Sequence, residues 1–329
     1  MRLALFVVLA SLIAPTAQAV EWRAQKIATP ARVNAIETVG DAVEIDAGGL
    51  WYRLSLGKAG PALTFLDEAP KSEHPEGALA DGRVAIGTGD IARAWLAEPT
   101  DRYDHGALGD KLEAGTLAIE RREGGRQTVK LGPDAVFEDL APRLVDLDGD
   151  GRDEIVVVKS SLRLGSSLAV IGWRKNRYEI VAETPALGAP HRWLDPAGIA
   201  DFLGDGKKEI ALVRQPHAVG MLELWSYADG RLTKIAELPD AANHIAGTRT
   251  IHMSAMTDVD GDGAADIAVP SLDRTRLRLI GFKPQIHEIA SIPLPAKAFT
   301  DVAVLADAHG PAIVLGLVDG SLALVRRAP

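Results

Sequence analysis

The chain has 329 residues, a formal net charge of −9 and no cysteine. Without cysteine there is no disulfide, no thiolate metal site and no cysteine nucleophile, and a chain this acidic lacks the basic surface that nucleic-acid binding requires. The acidity is concentrated in short aspartate clusters and not in tails, which is typical of metal-binding loops.

The first 19 residues have the pattern of a secretory signal peptide. Arg2 supplies a positive charge, residues 3–14 are apolar, and Ala17 and Ala19 form a small-x-small cleavage site. The apolar run is shorter than the roughly 20 residues that cross a bilayer, and no later run comes closer. We therefore expect cleavage near Ala19 and a mature chain, 20–329, without a transmembrane segment. Export without disulfides fits the periplasm or the cell exterior.

The strands predicted before residue 132 form two units of four. Short alternating apolar segments that are bounded by turn residues predict strands. The first unit comprises residues 32–39, 42–47, 50–56 and 62–67, and the second comprises 82–87, 91–98, 116–121 and 126–131. Neither unit carries an aspartate-rich loop.

An acidic repeat occurs three times between residues 143 and 270, and such self-similarity indicates a repeat architecture. Its best copies lie near residues 143–158, 198–213 and 255–270, and they start at Asp146, Asp201 and Asp258, which are 55 and 57 residues apart. A short apolar strand precedes each copy, a β-branched strand follows it, and two further alternating segments complete the period. Four strands per period are typical of a propeller blade.

The C-terminal unit has only three predicted strands, at residues 300–305, 311–317 and 321–326. A fourth strand from residues 21–28 would complete this blade and close the ring without an open edge. The sequence therefore predicts an all-β fold, a single six-bladed β-propeller over residues 20–329. Seven blades are the alternative if one predicted unit contains two. No amphipathic helical pattern is sustained over a dozen residues.

Aspartates at alternate positions followed by glycine suit a calcium site. Positions 1, 3 and 5 of such a loop aim side-chain oxygens at one centre, position 7 adds a backbone carbonyl, position 9 adds a carboxylate, and glycine at position 6 permits the turn. The predicted ligands are Asp146, Asp148, Asp150, Glu154 and the Arg152 carbonyl in the first loop, and Asp258, Asp260, Asp262, Asp266 and the Ala264 carbonyl in the third. An all-oxygen shell favours Ca²⁺ over zinc, and its loose geometry favours Ca²⁺ over Mg²⁺.

The middle copy of the repeat is degenerate. It keeps Asp201, Asp205 and Glu209 but has Leu203 at the third ligand position. We therefore expect weak or absent metal binding in this loop.

Two other interpretations of the loops are open to test. An EF-hand loop ends with glutamate at position 12, where this chain has Val157 and Val269 within predicted strands, so a helical EF-hand is excluded. Alternatively, the loops are Asp-Gly hairpin turns that bind no ion. Two complete copies make that alternative the weaker one.

At these loops the chain resembles the FG-GAP/VCBS repeat family, whose D-x-D-x-D-G-x-x-[D/E]-[I/L] loop also occurs in the propeller of integrin α-subunits. Three repeats between Arg143 and Val269 carry the resemblance. Residues 94–110 and 191–193 are also similar to bacterial VCBS-repeat proteins of uncharacterised function. The resemblance implies a propeller fold and bound Ca²⁺, but it implies no particular partner.

The residues that enter the inner strands are the candidate ligand-binding residues, because propellers take ligands at one end of the central channel. Arg192 and Arg249 each precede an acidic loop by nine residues, and two guanidinium groups at adjacent inner strands could bind a carboxylate or a phosphate. His191 and His105 could join them. The alternative is that each arginine pairs with a neighbouring carboxylate or covers apolar surface, and that His105 is a satisfied loop histidine.

The sequence leaves two main functions open, and a fragment-like module that acts beside a membrane or surface complex is a third possibility. The first is an exported, monomeric calcium-binding propeller that serves as a binding or interaction scaffold for a protein, a glycan or a small anion. The alternative is a glycan-directed hydrolase or lyase at the channel mouth. A glycosidase needs two free carboxylates, the obvious ones are assigned to calcium, and no nucleophile elbow, zinc-protease motif or phosphate loop occurs. A non-enzymatic role is therefore the expectation, and acidic residues at the mouth outside the metal loops would favour the enzyme.

Overall fold

The computed structural model describes residues 21–71, 73–307 and 310–328, so the predicted signal peptide lies outside the described residues. Strands β1 to β25 account for the regular structure of the described residues. No helix in this part of the chain is long and apolar enough to span a bilayer.

The strands form four four-stranded sheets and one nine-stranded sheet that comprises two neighbouring blades, which together make the six antiparallel blades of a β-propeller around a central channel. Blade 1 contains β2 (Val33–Val39), β3 (Ala42–Ala47), β4 (Leu50–Gly57) and β5 (Gly60–Leu66). Blade 2 contains β6 (Ala85–Ile86), β7 (Ile91–Thr100), β8 (Glu113–Arg121) and β9 (Arg126–Lys130). Blade 3 contains β10 (Ala135–Phe137), β11 (Arg143–Val145), β12 (Glu154–Ser161), β13 (Gly165–Arg174) and β14 (Arg177–Glu183).

The acidic repeats continue the ring. Blade 4 contains β15 (Leu194–Ala200), β16 (Glu209–Arg214), β17 (Met221–Ala228) and β18 (Arg231–Pro239), and blade 5 contains β19 (Ala255–Thr257), β20 (Asp266–Pro270), β21 (Arg276–Gly281) and β22 (His287–Pro293). Blade 6 contains β23 (Ala298–Asp307), β24 (Gly310–Leu317), β25 (Leu322–Arg327) and β1 (Trp22–Ile27).

The N-terminal strand closes the ring as predicted. β1 pairs antiparallel with β25 from Trp22 opposite Arg327 to Ile27 opposite Leu322. Trp22 and Ile27 are both buried. The prediction of six blades with an N-terminal strand in the last blade is thus confirmed.

The predicted inner strand of blade 2 is too long. The prediction covered residues 82–87, whereas β6 contains only Ala85 and Ile86. The amide of Gly82 bonds to Leu79 O and that of Arg83 bonds to Leu140 O in blade 3. These residues are therefore held in a turn against the next blade and are unavailable to the β6–β7 ladder.

Apolar clusters hold neighbouring blades together, with one exception. Separate buried clusters join blades 2 and 3, 3 and 4, 4 and 5, 5 and 6, and 6 and 1. Within the described residues no such cluster joins blade 1 to blade 2. A small cluster around Trp95, Ala97 and Ala118 of blade 2 is covered there by Ala78 and Val84 of the connecting segment.

Successive connections in an antiparallel blade alternate between its two ends, so the propeller has two distinct faces. The β11–β12, β15–β16 and β19–β20 connections are the three acidic loops, and they define the acidic-loop face. The β7–β8 connection, residues 101–112, lies on the other face and is called the cap loop. Blades 2 and 5 are opposite in a six-membered ring, yet Gly247 N donates to Ala107 O at 2.8 Å. The cap loop therefore crosses the axis and covers this end of the channel.

Candidate functional site

The first acidic loop directs several carboxylates to one point. Oxygens of Asp146, Asp148 and Glu154 lie within 4.8 Å of one another. The Asp146 carboxylate accepts hydrogen bonds from the amides of Gly149 at 2.8 Å and Gly151 at 3.0 Å. These bonds wrap the backbone around the carboxylates, and a positive φ of 85° at Gly151 allows the turn.

The third acidic loop has the same carboxylate–amide bonds at its first aspartate, but its triad includes the fifth loop residue in place of the ninth. Oxygens of Asp258, Asp260 and Asp262 lie within 4.8 Å of one another. The amides of Gly261 and Gly263 donate to the Asp258 carboxylate at 2.6 and 3.0 Å. Both complete loops are thus oxygen-rich triads that could bind a metal ion.

The ninth residue of each complete loop is the most enclosed carboxylate of its loop. Glu154 accepts a bond from Leu147 N at 3.0 Å, and Asp266 accepts one from Val259 N at 2.8 Å. Burial, reinforced by the charges of the loop aspartates, raises the pKa of both Glu154 and Asp266 to about 7. Among the described residues no cation forms an ion pair with the carboxylates of either centre, so a bound divalent cation would stabilise the negative charge that gathers there.

Asp150 in the first loop and Asp266 in the third are the predicted carboxylate ligands that lie outside the two triads, whereas Asp262 belongs to the third-loop triad. The Asp150 carboxylate accepts a bond from the amide of Arg152 at 2.8 Å, and the Asp262 carboxylate accepts one from Ala264 N at 2.8 Å. The predicted backbone ligands Arg152 and Ala264 therefore lie two residues after aspartates that already hold the turn.

The middle loop keeps the fold of its neighbours but lacks their oxygen triad. The Asp201 carboxylate accepts bonds from Asp205 N at 3.1 Å and Gly206 N at 2.8 Å, and Glu209 accepts one from Phe202 N at 3.1 Å. Leu203 packs against the apolar cluster between blades 4 and 5. The loop backbone is therefore specified by carboxylate–amide bonds, and only the side chains decide whether it offers a metal site.

On the cap face, a buried glutamate holds a partly exposed histidine. Glu138 is fully buried, and its Oε1 lies 2.5 Å from His105 Nδ1. Its Oε2 accepts hydrogen bonds from the hydroxyls of Ser160 and Ser166. The carboxylate therefore orients the imidazole of His105 and leaves its Nε2 without a hydrogen-bond partner among the described residues.

His191 lies beside this pair. Its ring stacks on that of His105 with centroids 5.2 Å apart, and it contacts Tyr103 at 5.3 Å. The amide of His191 donates to the Tyr103 hydroxyl at 2.7 Å, and its Nε2 lies 3.3 Å from Asp104. The structure therefore brings the two predicted histidines together through the cap loop.

The two predicted arginines have separate partners. Arg192 Nη1 donates to Leu187 O at 3.0 Å. Arg249 forms ion pairs with Asp81 at 2.8 Å and Asp110 at 3.1 Å. Arg249 therefore ties the cap loop to the entrance of blade 5, in the manner of the alternative considered for a strand-entrance arginine.

Sequence reasoning missed a group of buried acids on the cap side of the channel. Asp139 accepts bonds from Arg143 Nη1 at 2.6 Å and Val158 N at 2.9 Å. Asp195 is fully buried, neither carboxylate oxygen has a hydrogen-bond partner among the described residues, and burial raises its pKa well above the ordinary value. Burial and the neighbouring carboxylates, chiefly Glu138, raise the pKa of Glu113 to about 10. These acids lie outside the acidic repeats, so no spacing pattern distinguishes them from surface acids.

The open part of the channel is lined by the inner strands. Two cavities of about 310 and 460 Å³ share His252, Ser254 and Met256. Arg143 lines the first, and Arg83 and Asp301 line the second, where Arg83 Nη2 lies 3.9 Å from Asp301. The cationic and anionic groups along this channel are therefore interspersed.

Comparison with known proteins gives remote structural likeness only. No family model matches the sequence, and no curated protein matches it. Among solved structures, the chain is similar to rhamnogalacturonan lyase YesW, with 14% identity, a TM-score of 0.44 and coverage of 90% of this chain and 60% of that one. It is also similar to a luciferin-regenerating enzyme, with 12% identity, a TM-score of 0.44 and coverage of 93% and 95%.

A third similarity is to the Photorhabdus luminescens Tc holotoxin pore, with 18% identity and a TM-score of 0.43 over 94% of this chain. The chain spans only 14% of that protein and 60% of the lyase. These matches assign no activity to the chain.

Proposed function

We propose that this protein is an exported calcium-binding β-propeller of the FG-GAP/VCBS repeat type that acts as a binding or interaction scaffold. The observation that supports it best is the pair of acidic loops, each of which gathers three carboxylates within 4.8 Å. Their all-oxygen donor set suits Ca²⁺. The periplasm or the cell exterior supplies this ion, and the N-terminal sequence pattern favours that location.

In this proposal the calcium ions hold the connections between the first two strands of blades 3 and 5. Asp258 and Asp266 bracket the turn from β19 to β20, and an ion that binds both ends fixes the inner strand against the second strand. Because all three acidic loops lie on one face, a ligand is taken from the other face or within the channel. The partner that we propose is a protein, a glycan or a small anion, bound by a monomer.

The second candidate, a glycan-directed hydrolase or lyase, is favoured by the buried acids near the cap. Glu113, Glu138 and Asp139 lie outside the metal loops, but each is at most 1% exposed. Catalysis would therefore require the cap loop to move. Release of reducing or unsaturated ends from a panel of neutral and acidic polysaccharides, abolished by Glu138→Gln, would establish this function in place of the scaffold.

The scaffold proposal is tested first by calcium binding. Asp148→Asn combined with Asp260→Asn removes one ligand from each complete loop, and Asp205→Asn in the degenerate loop is the matched control. We expect the unaltered protein and the control to bind two Ca²⁺ by isothermal titration calorimetry, whereas the double variant binds neither tightly.

Thermal unfolding supplies the second measurement. An ion that binds only the folded chain stabilises it by about 2.7 kcal/mol per site at a hundredfold excess over Kd. Chelation should therefore lower the Tm of the unaltered protein and leave that of the double variant unchanged. Absence of calcium binding together with a chelator-insensitive melt in the unaltered protein would refute the metal claim.

A further inference from the structure

A pocket distinct from the two channel cavities opens on the cap face between blades 4 and 5. It has a volume of about 270 Å³, and its lining includes Pro216, His217, His244, Leu272 and Arg274. These residues come from three connections: β16–β17, β18–β19 and β20–β21. All three emerge on the face opposite the acidic loops, so the pocket is physically separate from the candidate metal sites.

Arg274 is a cation without an anionic partner. Its Nη1 donates to Ala298 O at 3.0 Å, and no carboxylate in the described part of the chain lies within 4.0 Å of the guanidinium group. Burial lowers its pKa, because the charged form has lost part of its hydration without gaining a counter-charge. In a chain of net charge −9, a half-buried and unpaired arginine is a candidate for binding an external anion.

Two histidines beside Arg274 form a directional hydrogen-bond chain. His244 Nε2 lies 3.1 Å from Thr248 O, and His217 Nε2 lies 2.8 Å from His244 Nδ1. A carbonyl oxygen can only accept, so a neutral His244 carries its proton on Nε2 and accepts at Nδ1. His217 then donates through Nε2, and its Nδ1 is the open end of the chain.

The surroundings keep both imidazoles neutral. Trp193 stacks on the His217 ring at 5.9 Å and contacts the His244 ring edge-on at 4.7 Å. Although His217 is exposed as a residue, enclosure of its ring lowers its pKa, and electrostatic interaction with the neighbouring His105 and Arg274 lowers it further. Burial and His217 lower the pKa of His244 to about 3. No carboxylate in the described residues lies within 4.0 Å of either ring.

We propose that this pocket, formed around Arg274, His217 and His244, binds the carboxylate group of a small organic anion. The guanidinium fork matches a carboxylate in two-pronged geometry. The open Nδ1 of His217 can take up a proton and become a second donor to the same anion. The volume lies just below the range of about 300–1,000 Å³ for drug-sized ligands, so it suits a small molecule. The inference deepens the binding role proposed above and rests on it, but it does not depend on calcium.

The test uses succinate as the probe, titrated into the calcium-loaded full chain by calorimetry against a blank titration into buffer. We expect saturable one-to-one binding that is weakened at least tenfold by Arg274→Gln. Arg274→Lys keeps the charge but loses the fork and should be intermediate. Arg276→Gln is the matched control, because Arg276 is exposed nearby and bonds to Ser291. It should bind succinate as the unaltered chain does.

A second readout reports the histidine chain. Succinate should shift the NMR signals of the His217 and His244 rings and raise the pKa of His217 in the unaltered chain and in Arg276→Gln, but not in a folded Arg274→Gln variant. Succinate binding that is unaffected by Arg274→Gln, or tighter binding of inorganic phosphate than of succinate, would overturn the proposal. Because the pocket lies apart from the loops, the Asp148→Asn, Asp260→Asn double variant should still bind succinate, so failure of calcium binding and failure of this pocket are distinguishable.

Discussion

Single carboxylates on the cap side are more strongly constrained than those of the acidic loops. Asp139 accepts bonds from the Arg143 guanidinium, from the amide of Val158 in β12 and from the amide of Leu140 in the β10–β11 connection, and Glu138 is satisfied by His105 and two serines. Buried charges persist when each lone pair has a donor. In the part of the chain that the structure describes, Glu113 has no such donor, and its burial therefore favours the neutral acid.

At neutral pH the burial of Glu113 therefore lowers the free energy of unfolding of the protein. Its pKa is raised to about 10 in the folded chain, whereas an unfolded glutamate ionises near 4.5. Between these values the unfolded chain binds fewer protons at this position, so the glutamate makes the free energy of unfolding fall as pH rises. Glu113→Gln keeps the neutral shape, and we expect it to stabilise the protein at pH 8 by more than about 1 kcal/mol.

Urea unfolding at a series of pH values measures the effect. The difference between Glu113→Gln and the unaltered chain should shrink towards acid and vanish below about pH 4. Glu21→Gln is the control, because Glu21 is exposed and pairs only with exposed Arg23. A constant offset across the pH range would show that Glu113 is ionised in the folded chain.

At the scale of one element, the conformation of the three acidic loops and their set of metal ligands depend on different residues. The Asp201 carboxylate caps the middle loop as Asp146 caps the first, although Leu203 removes one oxygen. The loop conformation is therefore encoded by the first aspartate and the glycines. Metal binding is an additional property that depends on the third residue.

Leu203→Asp should convert the middle loop into a third metal site. The substitution restores the missing oxygen beside Asp201 and Asp205, and we expect the calcium stoichiometry to rise from two to three in calorimetry and native mass spectrometry. Loss of packing against the blade 4–5 cluster should cost about 1–2 kcal/mol without calcium. Leu203→Ala is the control, with the same loss of packing and no third ion. An unchanged stoichiometry in a folded Leu203→Asp protein would contradict the proposed ligand scheme.

Strands were predictable from sequence where local signals agree. β16 (Glu209–Arg214) and β20 (Asp266–Pro270) lie where the sequence predicts a β-branched strand after an acidic loop, because a loop end and a β-branched run coincide there. The cap loop could not be predicted, since its position depends on Ala107 bonding to Gly247 and on Asp110 pairing with Arg249 across the ring. The Arg274 pocket depends likewise on three connections that are distant in sequence, and no spacing pattern identifies it.

At the scale of the whole molecule, the propeller has one interface that differs from the others. Five blade interfaces contain buried apolar clusters, whereas the described residues show none between blades 1 and 2. Ion pairs occur there instead: Arg93 pairs with Glu73 at 2.8 Å, and Arg83 lies 4.0 Å from Glu37. Exposed ion pairs contribute about 0–1 kcal/mol each, so this is the weakest seam of the ring.

The weak seam predicts where the folded protein opens first. We expect amide hydrogen exchange to be faster in residues 73–84 than in the strands of any blade. Limited proteolysis should cut first within this connection. The cut protein should still run as one species in gel filtration, because β1 remains paired in blade 6 and blade 1 packs on that blade. Denaturing electrophoresis should then show two fragments.

Arg249→Gln releases the cap loop from blade 5 and should add a second early cut within residues 101–112. A first cut of the unaltered chain in the cap loop, or separation of the two fragments in native buffer, would show that the ring is held together differently.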